Sequence, residues 1–182
     1  NLMRAAASSL DLGQVLYTIL DQLIKLLKAD SGSIQLLEND QLRIAAAIGF
    51  DSRQFAKKGT VPLKEFPLNH YAVTRQEAVL INDVQKDERY VRVKGLKSVK
   101  SFLLIPLISK GTSIGLITLD HTKPSHFTNR DIEIGVAIAD NAAITITNAR
   151  LYQEALRASE RRAVLHRISQ EIIRFSQDSE QL

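Results

Sequence analysis

Apolar residues recur at helical spacing near the start of the chain. From Leu12 to Lys28, leucine, isoleucine and valine stand three and four residues apart, with glutamine, lysine and aspartate on the opposite side. Asp11 and Gln14 precede this stripe at the spacing of a capping box. The pattern predicts an amphipathic helix that begins after Asp11 and covers a flat apolar surface.

The next segments alternate with a period of two, which predicts strands at Gly32–Leu37 and Leu42–Phe50 joined by the turn at 38–40. In the second strand the alternation puts the larger apolar side chains on one face. These residues are Leu42, Ile44, Ala46, Ile48 and Phe50.

The middle of the chain has weaker signals. From Asp51 to Pro67 the apolar residues show no regular period. Pro67 fits the first turn of a short helix that ends near Arg75. A brief strand is predicted at Ala78–Ile81. Ser101–Ile108 is apolar on both faces, as in a central strand, although Pro106 is unusual there. A turn at Lys110 and Gly111 leads into a hairpin partner at residues 113–121.

The last pattern predicts one long helix from about Asp131 to Phe175, roughly 65–70 Å in length. Apolar residues recur along it at strict heptad spacing, which predicts a parallel homodimeric coiled coil. This seam comprises Ile144, Leu151, Ala158, Leu165 and Ile172. Arg161 and Arg162 dilute the seam, so a bent helix that folds back is the alternative.

The amino-acid composition excludes several kinds of functional site. The chain has 182 residues, 45% of them hydrophobic, a formal charge of +4 and no cysteine. A thiolate nucleophile, a zinc–thiolate cluster and a disulfide are therefore excluded. Basic residues cluster between Lys86 and Lys100 with only Tyr90 as a stacking aromatic, which is typical of a solvated loop; we expect no nucleic-acid partner.

The ends of the chain suggest a piece of a longer protein. Residues 9–15 and 176–182 share Ser, Asp and Gln at the same spacing. We expect an incoming helix or linker at 1–10, a main domain at 11–150, a helical coiled-coil linker at 151–176, and the start of a following module at 177–182. No apolar run is long enough to cross a bilayer and no signal peptide is visible, so a cytoplasmic location is expected.

Four stretches resemble a GAF domain, over about Leu10 to Tyr152. They are "SLDLGQVLYTILDQLIKLLKADSGSIQLL", "VLINDVQKDERY", "KSFLLIPLISKGTSIGLITLDH" and "FTNRDIEIGVAIADNAAITITNARLY". The resemblance implies an α/β (α+β) fold: an antiparallel sheet of five or six strands flanked by helices, as in GAF and PAS domains, before the long coiled-coil helix. It also implies a ligand pocket on the sheet face opposite the terminal helices.

The family's members are sensory modules of bacterial signalling proteins, so the resemblance implies a non-catalytic, small-molecule-binding relay in a two-component histidine kinase or a nucleotide cyclase. Its ligand is unknown. A ligandless dimerisation spacer between tandem domains is the alternative. Ligand contacts are expected from the variable middle and the adjoining strand: His70, Tyr71, Asn82, Asp83, Arg89, Tyr90 and Ser101.

The segment before the long helix resembles part of a motif of cyclic-nucleotide-binding members. Lys123, Phe127 and Asp131 match it, whereas Thr122 and Ile132 depart from it. We therefore interpret these three residues as a structural clamp, with Lys123 paired to Asp131 at the helix N-terminus. No covalent bilin is expected without cysteine. None of the histidines stands in a context that indicates a haem ligand, and no catalytic or metal constellation is apparent.

Overall fold

The computed structural model describes residues 2–50, 60–92 and 98–179, with the side chains of residues 2–11, 167 and 170–179 outside the description. The helices are α1 (Leu2–Leu27), α2 (Pro67–Arg75) and α3 (Asn129–Ser179). The strands are β1 (Ser31–Glu38), β2 (Gln41–Ile48), β3 (Thr60–Pro62), β4 (Val79–Ile81), β5 (Ser101–Ser109) and β6 (Thr112–His121). Short 3-10 turns follow β3 at Leu63–Glu65 and β4 at Val84–Lys86.

The strands form one antiparallel sheet in the order β3-β2-β1-β6-β5-β4. The predicted hairpins are both present. Asn39 and Asp40, with φ of 50° and 58°, turn the chain between β1 and β2, and Lys110 and Gly111, with φ of 50° and 74°, turn it between β5 and β6. Consecutive residues with positive φ match the twist of paired strands. The sequence thus predicted both hairpins, and the predicted fold class is confirmed.

The two long helices cover one face of the sheet. Leu16, Leu20 and Leu23 of α1 and Ala139 and Ile146 of α3 are buried against the inward side chains of β1, β5 and β6. The single glycine of the α3 pattern has a packing reason, because a Cβ on Gly135 would collide with the Ile105 side chain. Close contact between α3 and β5 therefore depends on this glycine.

The opposite face of the sheet is covered by α2 and the two 3-10 turns. Leu68, Ala72 and Val73 of α2 pack there against Leu104 of β5 and Leu116 of β6. The sheet is therefore the middle layer of three, and its buried residues belong to two separate apolar clusters.

A β-bulge in β2 overturns the predicted single apolar face of that strand. Ile34 of β1 pairs with Ala46 and Gln35 pairs with Ile44, so Ala45 has no residue opposite it. Leu42 and Ile44 consequently pack on the α2 side, whereas Ala46 and Ile48 pack on the α1 side. An extra residue in one strand reverses the alternation beyond it.

Two further expectations were wrong. Helix α1 begins at Leu2, so Asp11 lies inside the helix and is not its N-cap. Strand β3 was not predicted; it pairs with β2 through three residues only. Pro106 does lie in β5, but β4 pairs only with Phe102–Leu104, so at the proline β5 has no strand on that side and needs no donor there.

Helix α3 has 51 residues, or about 76 Å, and outruns the sheet. Of its described side chains, none after Ile146 is fully buried. Within the described residues, no helix combines the length and apolarity that a bilayer crossing requires.

Candidate ligand pocket

A row of buried polar side chains crosses the middle of the sheet on the α2 side. Ser31, Ser33 and Gln35 occupy alternate positions of β1, and Thr118 and Asp120 occupy alternate positions of β6. Each is at most 5% exposed. Polar groups at such depth are rare unless they are paired or bind something.

Strand register brings these side chains together. Ser31 lies opposite Asp120, and Ser33 lies opposite Thr118. The Ser31 hydroxyl donates to Asp120 Oδ2 at 3.1 Å, and the hydroxyl oxygens of Ser33 and Thr118 are 2.8 Å apart. Gln35 Nε2 donates to Ser33 Oγ at 2.8 Å. The five side chains therefore lie side by side across β1 and β6 in two hydrogen-bonded groups, Ser31 with Asp120 and Gln35 with Ser33 and Thr118, which together we call the polar ladder.

Two oxygens of the ladder stay unpaired. No described protein group donates to Asp120 Oδ1 or to Gln35 Oε1, although both atoms are buried. Burial raises the pKa of Asp120 to about 7, and the hydrogen bond from Ser31 opposes this shift. An unpaired buried carboxylate oxygen is costly, so this position suits a donor group from a ligand.

Aromatic side chains close the space over the ladder. Phe102 of β5 lies opposite Asp120 and meets Tyr90 edge-to-face, with ring centroids 5.6 Å apart. Burial, and next the charge of Asp120, raise the pKa of Tyr90 to about 12. Phe50 and Phe66 complete the aromatic lining of a partly open cavity with a volume of about 40 Å³.

The N-terminus of α2 forms one wall of this pocket. Pro67 sits in its first turn, where the missing N–H costs nothing. This start places Leu68 and Asn69 against the cavity, and both are buried.

Arg89 lies at the rim of the pocket, where two hydrogen bonds to Asp87 hold its guanidinium, at 2.9 and 2.7 Å. The guanidinium also lies over the ring of Tyr71, 5.7 Å from its centroid. Pairing with Asp87 raises the pKa of Arg89, and the bond from Arg89 lowers the pKa of Asp87. The positive charge of Arg89 is thus balanced by the Asp87 carboxylate, which lies outside the cavity lining.

The structure places two of the seven predicted ligand residues, Arg89 and Tyr90, at the pocket. His70 and Tyr71 are exposed and line a shallow depression on the outer side of α2.

The other three predicted residues have structural contacts. Asp83 accepts the Gln85 amide and caps a 3-10 turn, and the Asn82 carbonyl accepts from Ser125 N. Ser101 is fully buried and donates to the Lys123 carbonyl at 2.8 Å.

Sequence reasoning missed the residues of the ladder. The signal was present in β1, where Ser, Ser and Gln alternate with Gly, Ile and Leu. The pattern of β6 is mostly apolar, and Thr118 and Asp120 are not among the predicted ligand residues. Only the pairing of β1 with β6 shows that the two sets of polar residues are one cluster.

The predicted clamp is only partly as expected. Phe127 is buried in the core. Among the described residues Lys123 makes no ion pair with Asp131; Asp131 Oδ2 instead accepts the Thr128 amide and hydroxyl, each at 2.7 Å. Thr128 and Asp131 form a capping box three residues apart, so the helix N-terminus is closed locally and needs no lysine.

A junction of hydrogen bonds joins the end of α1 to the start of α3. Asp30 Oδ2 accepts from the amide and hydroxyl of Thr122, at 2.8 and 2.6 Å. His121 stacks on His126, whose Nε2 lies 2.9 Å from the Leu27 carbonyl oxygen. Burial, and next the neighbouring His126, lower the pKa of His121.

The predicted seam residues lie on the outer side of α3. Ile144, Leu151 and Leu165 are 59%, 51% and 64% exposed, and Ala158 is also exposed. The side chain of Ile172 falls outside the described part. Within that part, no group of three His, Cys, Asp or Glu side chains could hold a metal ion.

A family model for the GAF domain matches residues 11–146. Among curated proteins, the formate hydrogenlyase transcriptional activators of Salmonella typhimurium and Escherichia coli are each 25% identical over 164 residues, which cover 86% of this chain and 24% of theirs. The chain therefore spans about a quarter of the length of the curated relatives it matches.

Solved structures share the fold. The GAF domain of a phosphoenolpyruvate-protein phosphotransferase from Coxiella burnetii has a TM-score of 0.70 at 21% identity, covering 84% of this chain and 98% of that one. The type II free methionine-R-sulfoxide reductase of Thermoplasma acidophilum has a TM-score of 0.67 at 22% identity, covering 78% and 96%. One of these neighbours is thus an enzyme by name, so the fold is compatible with catalysis.

Proposed function

Because the chain belongs to the GAF domain family, we propose that it is a non-catalytic sensory module that binds a small molecule in the pocket over the polar ladder and passes the event through α3 to a neighbouring domain. GAF domains are in general regulatory modules. The observation that carries the proposal is the buried Asp120, whose Oδ1 faces the cavity side of the sheet without a protein donor among the described residues.

The pocket and the output helix share one strand. Asp120 faces the cavity and the next residue, His121, faces the opposite side of β6. The Asp120 carbonyl accepts from Asp30 N at 2.9 Å, and His121 stacks on His126 just before α3. A ligand that moves Asp120 therefore acts directly on the junction between α1 and α3, which is the kind of two-state contact that carries a signal.

The second half of the proposal is a parallel homodimer along α3. A helix that outruns its domain leaves the apolar stripe through Leu151 and Leu165 in water unless a second copy covers it. Burying each leucine contributes about 1.5–3 kcal/mol per chain. The downstream domain that we propose is the catalytic part of a histidine kinase; a transcription activator, as in the curated relatives, is the alternative.

The size of the cavity favours a second candidate function. A volume of about 40 Å³ holds a few water molecules, so the interior of the pocket admits only a very small compound. The alternative is therefore a ligandless spacer that uses the same dimeric helix to hold neighbouring domains in register.

Introduced cysteines test the relay, because the chain has no cysteine of its own. In a parallel dimer, Leu165→Cys places two copies of the same residue at the seam, and mild oxidation should crosslink them rapidly. Ser159→Cys, exposed and off the seam, is the matched control and should crosslink slowly. An antiparallel pair or a monomer would give slow crosslinking at both positions.

The same assay separates the two candidates. Compounds are first selected by a rise in the melting temperature of the unmodified chain. A compound that also changes the crosslinking rate of the Leu165→Cys variant supports the sensory relay. Rapid crosslinking that no stabilising compound alters supports the spacer instead.

A further inference from the structure

Resting on the proposed function, we infer that the pocket takes a small organic cation, an ammonium or amidinium group with a short apolar substituent. The cationic group binds Asp120 and the free oxygen of Gln35. The substituent packs between the aromatic rings of Tyr90 and Phe102.

The free atoms in the cavity determine this class. Asp120 Oδ1 and Gln35 Oε1 are both acceptors, both buried and both without a donor among the described residues. The hydroxyls of Ser33 and Thr118 share one hydrogen bond, so at most one O–H of this pair is left to donate, against two free acceptor oxygens. A ligand that presents several N–H groups supplies what these oxygens lack. A carboxylate ligand would instead place a second negative charge beside Asp120.

The walls suit a cation with a small apolar part. Phe66, Tyr90 and Phe102 surround the ladder, and Tyr90 and Phe102 meet edge-to-face. A cation within about 6 Å of an aromatic ring is attracted by the negative face of the ring. The volume of about 40 Å³ limits the ligand to a few non-hydrogen atoms. Aromatic walls around one buried carboxylate therefore select for charge and size together.

The basic residues nearby do not cancel this preference. Arg89 at the rim is held by Asp87 and faces Tyr71. Arg92 is exposed and acts on Tyr90 through its charge. The elements that face Asp120 from the other sides contribute neutral groups, namely the serines and Gln35 of β1, Phe102 of β5 and Asn69 of α2. Among the described residues, the charged groups at this pocket are thus Asp120 on its floor and Arg89 at its rim.

This arrangement links binding to pH. Burial raises the pKa of Asp120 to about 7, and a cation binds the ionised form. Affinity should therefore be nearly constant above pH 8 and fall about tenfold for each pH unit below 7. Tyr90, whose pKa is raised to about 12, stays neutral over this range and does not contribute to the pH dependence of the affinity.

The experiment compares three probes of similar size on the whole chain: ethylammonium, acetamide and acetate. At pH 8, ethylammonium at ten times its dissociation constant should raise the melting temperature by about 3–6 °C. It should also shift the backbone amide resonances of Thr118 and Asp120. Asp120→Asn should weaken ethylammonium binding at least tenfold. Asp21→Asn removes an exposed carboxylate from α1 and should leave binding unchanged.

The outcomes separate the ligand class from the proposed function. Acetate or acetamide binding at these resonances, without ethylammonium, would overturn the cation class and leave a ligand-binding module. Ethylammonium binding that Asp120→Asn does not weaken, or that is equally tight at pH 6, would also overturn the class. No shift with any probe would overturn it and count against ligand binding itself.

Discussion

The imidazole rings of His121 and His126 lie face to face, with centroids 3.6 Å apart and planes within 6° of parallel. His121 Nδ1 accepts the Lys123 amide at 2.9 Å, and burial, followed by His126, lowers the pKa of His121. Two protonated rings cannot stack at this distance without strong repulsion. The contact that joins β6 to the start of α3 therefore favours the neutral form of His121.

This stack predicts a loss of stability in acid. As pH falls through about 6.5, the unfolded chain binds a proton at residue 121 that the folded chain resists, so the free energy of unfolding decreases. His121→Asn keeps an acceptor for the Lys123 amide but cannot titrate. Between pH 7.5 and 5.5, urea unfolding should show the unmodified chain losing up to about 1 kcal/mol relative to this variant.

The exposed His70 provides the control for this measurement. His70→Asn removes a histidine that lies on the outer side of α2, away from the stack, and should leave the free energy of unfolding at pH 7.5 unchanged. If His121→Asn and the unmodified chain had parallel stability curves over this range, the stack would have no proton linkage.

Asp120 predicts a stability change of opposite sign. Its pKa is near 3.8 when unfolded and about 7 when folded, so between these values the folded chain holds a proton that the unfolded chain has lost. Stability therefore falls as pH rises from about 4 to 7, and above 7 a buried charge is present. Asp120→Asn should be more stable than the unmodified chain at pH 8, by on the order of 2–3 kcal/mol. At pH 5 the difference should fall to roughly a third of its value at pH 8, because pH 5 lies only about one unit above the unfolded pKa. An equal difference at pH 5 and pH 8 would exclude a role for the charge.

The capping box at the start of α3 gives a prediction about local pairing. Asp131→Ala removes both bonds to Thr128 and should lower the free energy of unfolding by about 0.5–2 kcal/mol. Lys123→Ala is the matched control and should be neutral, because Lys123 makes no ion pair with Asp131. Chemical denaturation of the two variants distinguishes the Thr128–Asp131 capping box from a Lys123–Asp131 ion pair. An equal decrease in the free energy of unfolding in both variants would support the ion pair.

The exposed stripe on α3 predicts the oligomeric state. Leu151→Glu with Leu165→Glu should give a folded monomer by light scattering, because two buried carboxylates per chain cannot be accommodated at a parallel seam. Ser159→Glu with Ala163→Glu adds the same charge off the seam and should remain dimeric. A monomeric unmodified chain at high micromolar concentration would contradict the dimeric relay.

The sequence by itself determined most of the secondary structure and its order, except for β3 and the start of α1. Helical spacing, alternation and turn residues are local signals, so the two hairpins, α2 from Pro67 to Arg75 and the long α3 could be read directly. The rim residues Arg89 and Tyr90 followed from the resemblance, because the variable middle of this fold lies over the sheet. Thr128 and Asp131 stand three residues apart, so their capping box is also a local signal in the sequence.

Only the tertiary structure decided the chemistry of the pocket. Alternation shows that a strand has two faces but not which residue of another strand lies opposite. Ser31 and Asp120 meet across 89 positions of sequence, and the bulge at Ala45 reverses which side chains of β2 lie on the α2 side of the sheet. Asp120 is chemically an ordinary carboxylate until β1, β5 and α2 remove its water. Burial and register depend on the whole chain at once, and for this reason the site could not be predicted from the residues that form it.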